Sequence, residues 1–175
     1  MELLVLDPGI RNPALSIFLN GTLVKASRVK LPGAFLSFPM AERCRRIAGE
    51  CAGWWMEYSP TKQVDELVYE MPQIYRAKFS KGDPNDLPPL ALVAGTLSGI
   101  LGCPVVSYLP REWIGQVPKN EDGDPWASPR GQRIRERLSA EEIASIVVSH
   151  DSIDSVGIGL HHLSRLAKRR VYSRS

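Results

Sequence analysis

Four acidic residues stand where secondary structure alone gives little reason for them. Asp7 closes the apolar run "LLVLD", and Glu70 sits in the apolar stretch "LVYEM". Asp151 and Asp154 open "HDSIDSVGIGLHHL", with His150 immediately before them. Carboxylate oxygens are the natural ligands of a hard divalent cation. Two such cations held together can activate a water and stabilise the leaving oxygen of a phosphodiester.

Each acid also has a plain structural reading. Asp7 in "DPG" can be a turn former. Asp151 and Asp154 can be first-turn acids that complement the helix dipole. Glu70 is harder to place that way, because Val68, Tyr69 and Met71 around it look buried and Glu is almost never fully buried without a partner. Taken together, acids gathered at strand ends repel one another unless something positive lies among them. Asp151 and Asp154, three apart, share a helix face. They fall beside the apolar stripe Val156, Leu160, Leu163 and Ala167, so that helix can pack on a sheet while its first turn reaches toward Asp7 and Glu70.

The elements that must hold these residues can be traced along the chain. "ELLVLDPG" reads as a buried strand stopped by a turn. "ALSIFLNGTLVKASRVK" reads as two further strands joined at Asn20-Gly21. "MAERCRRIAGECAGWWMEYS" has helical periodicity, "VDELVYEMP" is a strand, and "LPPLALVAGTLSGILG" is an apolar helix stopped by Gly102. "CPVVSYL" is a fifth strand, followed by a short helix from Pro110. After a Pro/Gly-rich loop, Ser128 caps a helix with Pro129 in its first turn, and Ser139 with Glu142 forms a capping box. The order β-β-β-α-β-α-β-α…α predicts an α/β fold: a mixed five-stranded sheet, three antiparallel strands then parallel crossovers, with helices on both faces.

Composition sets the outer bounds. A chain of 175 residues, 43% hydrophobic, is expected to form one domain over 1–175, with a flexible basic tail over 168–175. Net charge is only +3, but "SPRGQRIRER" and "SRLAKRRVYSRS" concentrate basic residues that can bind phosphates. The three cysteines, Cys44, Cys51 and Cys103, do not suggest a disulfide framework or zinc site, and Cys44 and Cys51 read as small core residues. Neither a signal peptide nor an apolar run of about 18 residues is seen. A cytoplasmic location and no membrane partner are expected.

At the acids the sequence resembles the RuvC-type Holliday junction resolvases of the ribonuclease H-like superfamily. The resemblance covers nearly the whole chain and rests on "LLVLDPGIRN", "LVYEMPQIY", "YLPREWIGQVPK" and "HDSIDSVGIGLHHL". It implies a homodimeric endonuclease that nicks opposed strands of a four-way DNA junction, in a bacterial cell or a phage-infected host. Two Mg²⁺ ions per active site, replaceable by Mn²⁺, would be held by Asp7, Glu70, Asp151 and Asp154. Some members have His at the third of these positions, and the D-x-x-D spacing favours Asp151 over His150. By the same resemblance, the segment after Glu70 would meet the junction crossover, Tyr75 and Phe79 on bases and Arg76, Lys78 and Lys81 on phosphates. Lys119, with Arg111 second, would offset charge on the scissile phosphate, and His150 could assist. Arg130 and Arg133 are further phosphate candidates. The small residues Ala91, Gly95 and Gly99 suit either a dimer interface or close packing on the chain's own sheet. His161 and His162 lie too far along their helix to share a metal with Asp154, and are expected to face solvent or DNA. Trp126 is a possible DNA contact. The alternatives are a nuclease of the same fold acting on other branched DNA or hybrids, and a junction-binding protein without catalysis.

Overall fold

The computed structural model of the chain describes residues 1–72, 87–114 and 123–172, with side chains of the last helix as far as Arg165. Strands β1 (Glu2–Asp7), β2 (Ala14–Leu19) and β3 (Thr22–Arg28) form an antiparallel meander. β4 (Glu66–Glu70) joins β1 in parallel, and β5 (Val105–Tyr108) joins β4 in parallel. The sheet order is β3-β2-β1-β4-β5, a mixed five-stranded sheet as the sequence reading expects.

Local chemistry explains most of these boundaries. Asn20 and Gly21 have φ of 53° and 89°, as a two-residue hairpin turn with positive φ at both central positions requires. Gly9 follows Asp7-Pro8 because the chain doubles back there: a Cβ at Gly9 would lie 2.8 Å from the Asn12 carbonyl oxygen. Arg43 ties this turn down by donating from Nη2 to the Ile10 carbonyl at 2.8 Å.

Helices α1 (Met40–Tyr58) and α2 (Leu87–Leu101) cover one face of the sheet. Leu4, Leu6, Leu15, Ile17 and Leu67 pack there against Cys44, Ile47, Cys51 and Leu97. Cys44 and Cys51 are core residues, and burial pushes the Cys51 thiol up to about 12. The other face carries Leu3, Val5, Phe18 and Val68 against the last helix, α6 (His150–Tyr172). Short helices α3 (Pro110–Trp113) and α4 (Pro129–Arg135) pack against α6, and α5 (Ala140–Ala144) packs on β3. Ser128 Oγ caps α4 by accepting from the Gly131 amide at 3.0 Å, and Ser139 with Glu142 makes the expected capping box on α5.

Two features differ from the stripe patterns of the sequence. Every residue from Ser152 to Leu160 is buried, so α6 is enclosed on all sides here and not only along Val156 and Leu160. Gly157 and Gly159 make this possible. A Cβ at Gly157 would meet the Trp113 ring at 2.7 Å, and one at Gly159 would meet the Phe18 ring at 2.3 Å. On α2, Ala91, Gly95 and Gly99 face outward, and a Cβ at Gly95 or Gly99 would meet nothing within 4 Å. Close packing on the chain's own sheet is therefore not their role.

The outer strand β3 is not left bare. Glu142 Oε1 accepts from the Leu23 amide at 2.8 Å, and Val147 donates to the Ala26 carbonyl at 2.8 Å. These bonds occupy edge groups that would otherwise invite another strand. They also anchor the chain just before α6. No helix among the described residues is long and apolar enough to cross a membrane.

Candidate active site

The strand register builds one row of residues across the end of the sheet. Arg28 pairs with Ala14 and Ala14 with Asp7, while Glu70 pairs with Tyr108. Leu6 pairs with Tyr69 in the parallel β1–β4 ladder, so the next rung sets Asp7 and Glu70 side by side. Side chains alternate along a strand. Asp7 follows Leu3 and Val5, and Glu70 follows Val68, all of which face α6. Both acids thus belong to the α6 face at the carboxyl ends of adjacent parallel strands.

Helix α6 brings Asp151 and Asp154 to the same end of the sheet. The link is explicit for Asp151: Arg28 Nε donates to its Oδ2 at 2.8 Å. Asp154 is 6% exposed, and Arg130 of α4 reaches both its oxygens through Nη1 at 3.1 Å. Glu70 accepts from Trp113 Nε1 at 2.6 Å. Arginine and indole donors thus engage Asp151, Asp154 and Glu70. His150 Nε2 is buried with no hydrogen-bond partner among the described residues.

The donor chemistry fits a hard divalent cation, since all four acids offer oxygen and the positive charge beside Asp151 and Asp154 comes from guanidinium groups that a cation could replace. The spacing is not that of a closed cluster: among the described residues no three His, Cys, Asp or Glu side chains stand close enough to hold one ion. Neighbouring strands lie about 4.8 Å apart, so β3, where Arg28 holds Asp151, is about 10 Å from β1.

Other predicted residues divide clearly. Arg111 is exposed on α3. Arg130 is bound to Asp154, while Arg133 is exposed on the outer side of α4. Tyr75, Arg76, Lys78, Phe79, Lys81 and Lys119 lie outside the described residues. Trp126 packs beside the α6 core, with the Arg135 guanidinium 5.9 Å from its ring.

His162 corrects the expectation that both histidines face solvent or DNA. His162 is 3% exposed, with Nδ1 3.0 Å from the Tyr108 hydroxyl and Nε2 2.9 Å from Glu66 Oε2. It clamps α6 to β4 and β5. His161 lies edge-on to the Tyr108 ring at 4.9 Å, and burial, then the nearby Arg165 charge, holds its pKa below the usual imidazole value.

Sequence reasoning missed Arg28 and Trp113 as partners of the acids. Arg28 ends a strand with no motif around it, and Trp113 follows Glu70 by 43 residues. Only the folded register brings either to the site.

A mixed five-stranded sheet of order β3-β2-β1-β4-β5 with helices on both faces defines the class: this is a ribonuclease H-like fold. Within that class the chain is similar in structure to Thermus thermophilus RuvC. The RuvC complexed with Holliday junction substrate matches with TM-score 0.62 and 21% identity over 95% of this chain and 96% of that one. A second T. thermophilus RuvC structure matches at 0.61 and 20%, covering 95% and 97%. The yeast mitochondrial Holliday junction resolvase Ydc2 matches at 0.56 and 13%, covering 98% and 82%. No protein-family model and no curated protein sequence matches the chain.

Proposed function

We propose that the protein is a divalent-metal-dependent endonuclease that resolves four-way DNA junctions by paired symmetric nicks. The observation that carries this reading is the placing of Asp7 and Glu70 abreast at the ends of parallel strands, on the face where α6 presents Asp154. The structural likeness to RuvC bound to a Holliday junction supports the choice of substrate.

In this reading Asp7, Glu70, Asp151 and Asp154 hold two Mg²⁺ ions, for which Mn²⁺ substitutes. The ions supply water activation and stabilisation of the leaving 3′ oxygen. The chain's own residues prepare that site. Trp113 fixes the Glu70 carboxylate through its Nε1–H, as outer partners of metal ligands do. Arg130 and Arg28 balance the charge of Asp154 and Asp151, and a bound cation would compete with them for these carboxylates. His150, with its buried Nε2, assists by holding or passing a proton beside the site. Lys119, with Arg111 second, would offset charge on the scissile phosphate. The segment carrying Tyr75, Arg76, Lys78, Phe79 and Lys81 meets the junction crossover, and Arg133 meets a phosphate.

Two sites related by a two-fold axis suit two symmetric cuts, so the working form is a homodimer. The outward faces of α2 support this, with Leu92 44% and Ile100 53% exposed beside the bare Gly95 and Gly99.

One observation favours a second reading, junction binding without catalysis: the described acids do not form a ready three-ligand cluster. A substrate panel separates the two. Four-way junction, Y-fork, RNA–DNA hybrid and linear duplex are incubated with Mg²⁺ and resolved on a denaturing gel. Cleavage restricted to the junction supports the resolvase. Binding without cleavage supports the second reading, and equal cutting of all four substrates excludes a junction resolvase.

A further inference from the structure

Helix α4 and the turn that continues it carry Arg130, Arg133 and Arg137 at spacings of three and four. Residues so spaced share one helix face. All three line one cavity of about 370 Å³ between α3, α4 and α6. The row begins at the candidate active site, where Arg130 Nη1 bonds both oxygens of Asp154. Seven residues at 1.5 Å each carry it about 10 Å along the helix to Arg137.

Arg130 is answered by Asp154, but the other two arginines are not matched in this way. Neither Arg133 nor Arg137 forms an ion pair among the described residues. Arg137 is fixed by Nη2 bonds to the Leu160 carbonyl at 3.0 Å and Ser164 Oγ at 2.6 Å. A guanidinium has five N–H donors, so these two bonds leave its Nε and Nη1 hydrogens for another acceptor. Among the described residues Glu136 is the one acid of the lining. Two cations against one anion leave the cavity positive. Its remaining wall is apolar, with Trp113, Ile114 and Ile134 around the bare backbone of Gly157. A Cβ at Gly157 would collide with Trp113 and Ile134 at 2.7 and 2.8 Å.

Forked guanidinium donors match the oxygens of a phosphate. An apolar wall beside them suits the sugar of a phosphodiester better than a hydrated free ion. The volume lies at the lower end of small-ligand sites, about 300–1,000 Å³, which admits a strand's backbone and not a duplex. A DNA strand rises about 3.4 Å per nucleotide, so about 10 Å of helix spans about three nucleotides. We propose that Arg133 and Arg137 form a phosphate seat that holds the bound strand within about three nucleotides of the cut. The inference rests on the reading of the neighbouring acids as a DNA-cleaving site and adds Arg137 to the residues that meet DNA.

The test uses the full chain and a fluorescein-labelled oligothymidylate of about twelve nucleotides, in EDTA. Anisotropy titrations at several salt concentrations give the slope of log affinity against log salt. The wild type is compared with Arg133→Gln, Arg137→Gln and Arg135→Gln. Arg135 lies on the same helix but stacks on Trp126 at 5.9 Å and does not line the cavity, so its variant controls for loss of charge alone. Each phosphate contact on a single strand contributes about 0.7 to the slope. Arg133→Gln and Arg137→Gln are each expected to reduce it by about that amount, and Arg135→Gln to leave it unchanged. Absence of wild-type binding, an unchanged slope in either cavity variant, or an equal loss in all three variants overturns the proposal. Arg133 is exposed, so if Arg137→Gln does not fold, Arg133→Gln against Arg135→Gln decides alone. Junction cleavage is scored separately. The expected slopes without junction cleavage leave the phosphate seat standing and remove the resolvase reading, and junction cleavage with unchanged slopes does the reverse.

Discussion

Arg28 at the end of β3 and Asp151 in the first turn of α6 are joined by a 2.8 Å hydrogen-bonded ion pair across 123 residues of chain. The pair sets the start of α6 over the row that also contains Asp7. A cation and Arg28 therefore compete for the same carboxylate. Arg28→Ala is expected to lower the Mg²⁺ concentration at half-maximal cleavage, by a few-fold, because an exposed ion pair is worth about 1 kcal/mol or less. Asp151→Asn should lower cleavage at least about 100-fold, while His150→Ala costs about tenfold or less. Metal titrations of junction cleavage check all three, and the reverse order for Asp151 and His150 would move the third ligand to the histidine.

Trp113 acts on Glu70 through a single bond of 2.6 Å. Trp113→Phe removes the donor together with part of the ring system packed on Gly157. Loss of such an outer partner typically costs about 10–100-fold in metal affinity or activity. The expected outcome is a higher Mg²⁺ requirement beside a modest fall in Tm. A fall in Tm without a change in metal requirement would make Trp113 a packing residue alone.

Glu2 lies at the opposite end of β1 from Asp7 and is 1% exposed. It accepts hydrogen bonds from Trp55 Nε1 at 2.7 Å, Ser59 Oγ at 2.6 Å and Thr61 Oγ1 at 2.7 Å. Burial pushes its pKa up, but these bonds together outweigh burial and hold it below the usual value of 4.5. A depressed carboxylate contributes stability that is present above its unfolded pKa and is lost as pH falls through the folded one. Stability should therefore fall below about pH 4.5, and Glu2→Gln should flatten that part of the profile. Glu2→Ala should cost about 2–4 kcal/mol at neutral pH by orphaning three donors. Chemical denaturation across pH measures both, and junction cleavage should survive in Glu2→Gln.

The exposed apolar face of α2 predicts a dimer. Replacing Leu92 or Ile100 by Glu should shift sedimentation equilibrium toward monomer and uncouple the two nicks, while leaving the fold intact. An unchanged association state in both variants would place the interface elsewhere.

Much of the fold was legible because it is local. Asn20-Gly21, the Ser128 cap and the Ser139–Glu142 box each act within a few residues, and each holds in the structure. Asp7 and Glu70 were legible as misfits, acids closing apolar strands. What local pattern cannot carry is distance between elements. Nothing near Arg28 marks it as the partner of Asp151, and nothing near Trp113 points to Glu70. His162 reads as one of two polar residues past an apolar stripe, yet Tyr108 and Glu66 make its burial tolerable. The outward turn of Gly95 and Gly99 likewise follows from which face of α2 meets α1, and a small-residue stripe is compatible with either direction.

The central claim is that Asp7, Glu70, Asp151 and Asp154 serve a metal-dependent cut in a four-way junction. Cleavage of a labelled junction is measured for the wild type with Mg²⁺, with Mn²⁺ and with EDTA, alongside Asp7→Asn under gel-shift and cleavage conditions. The account predicts paired nicks with either metal, none with EDTA, and junction binding without cleavage by Asp7→Asn. Cleavage that persists in EDTA or in Asp7→Asn would contradict it.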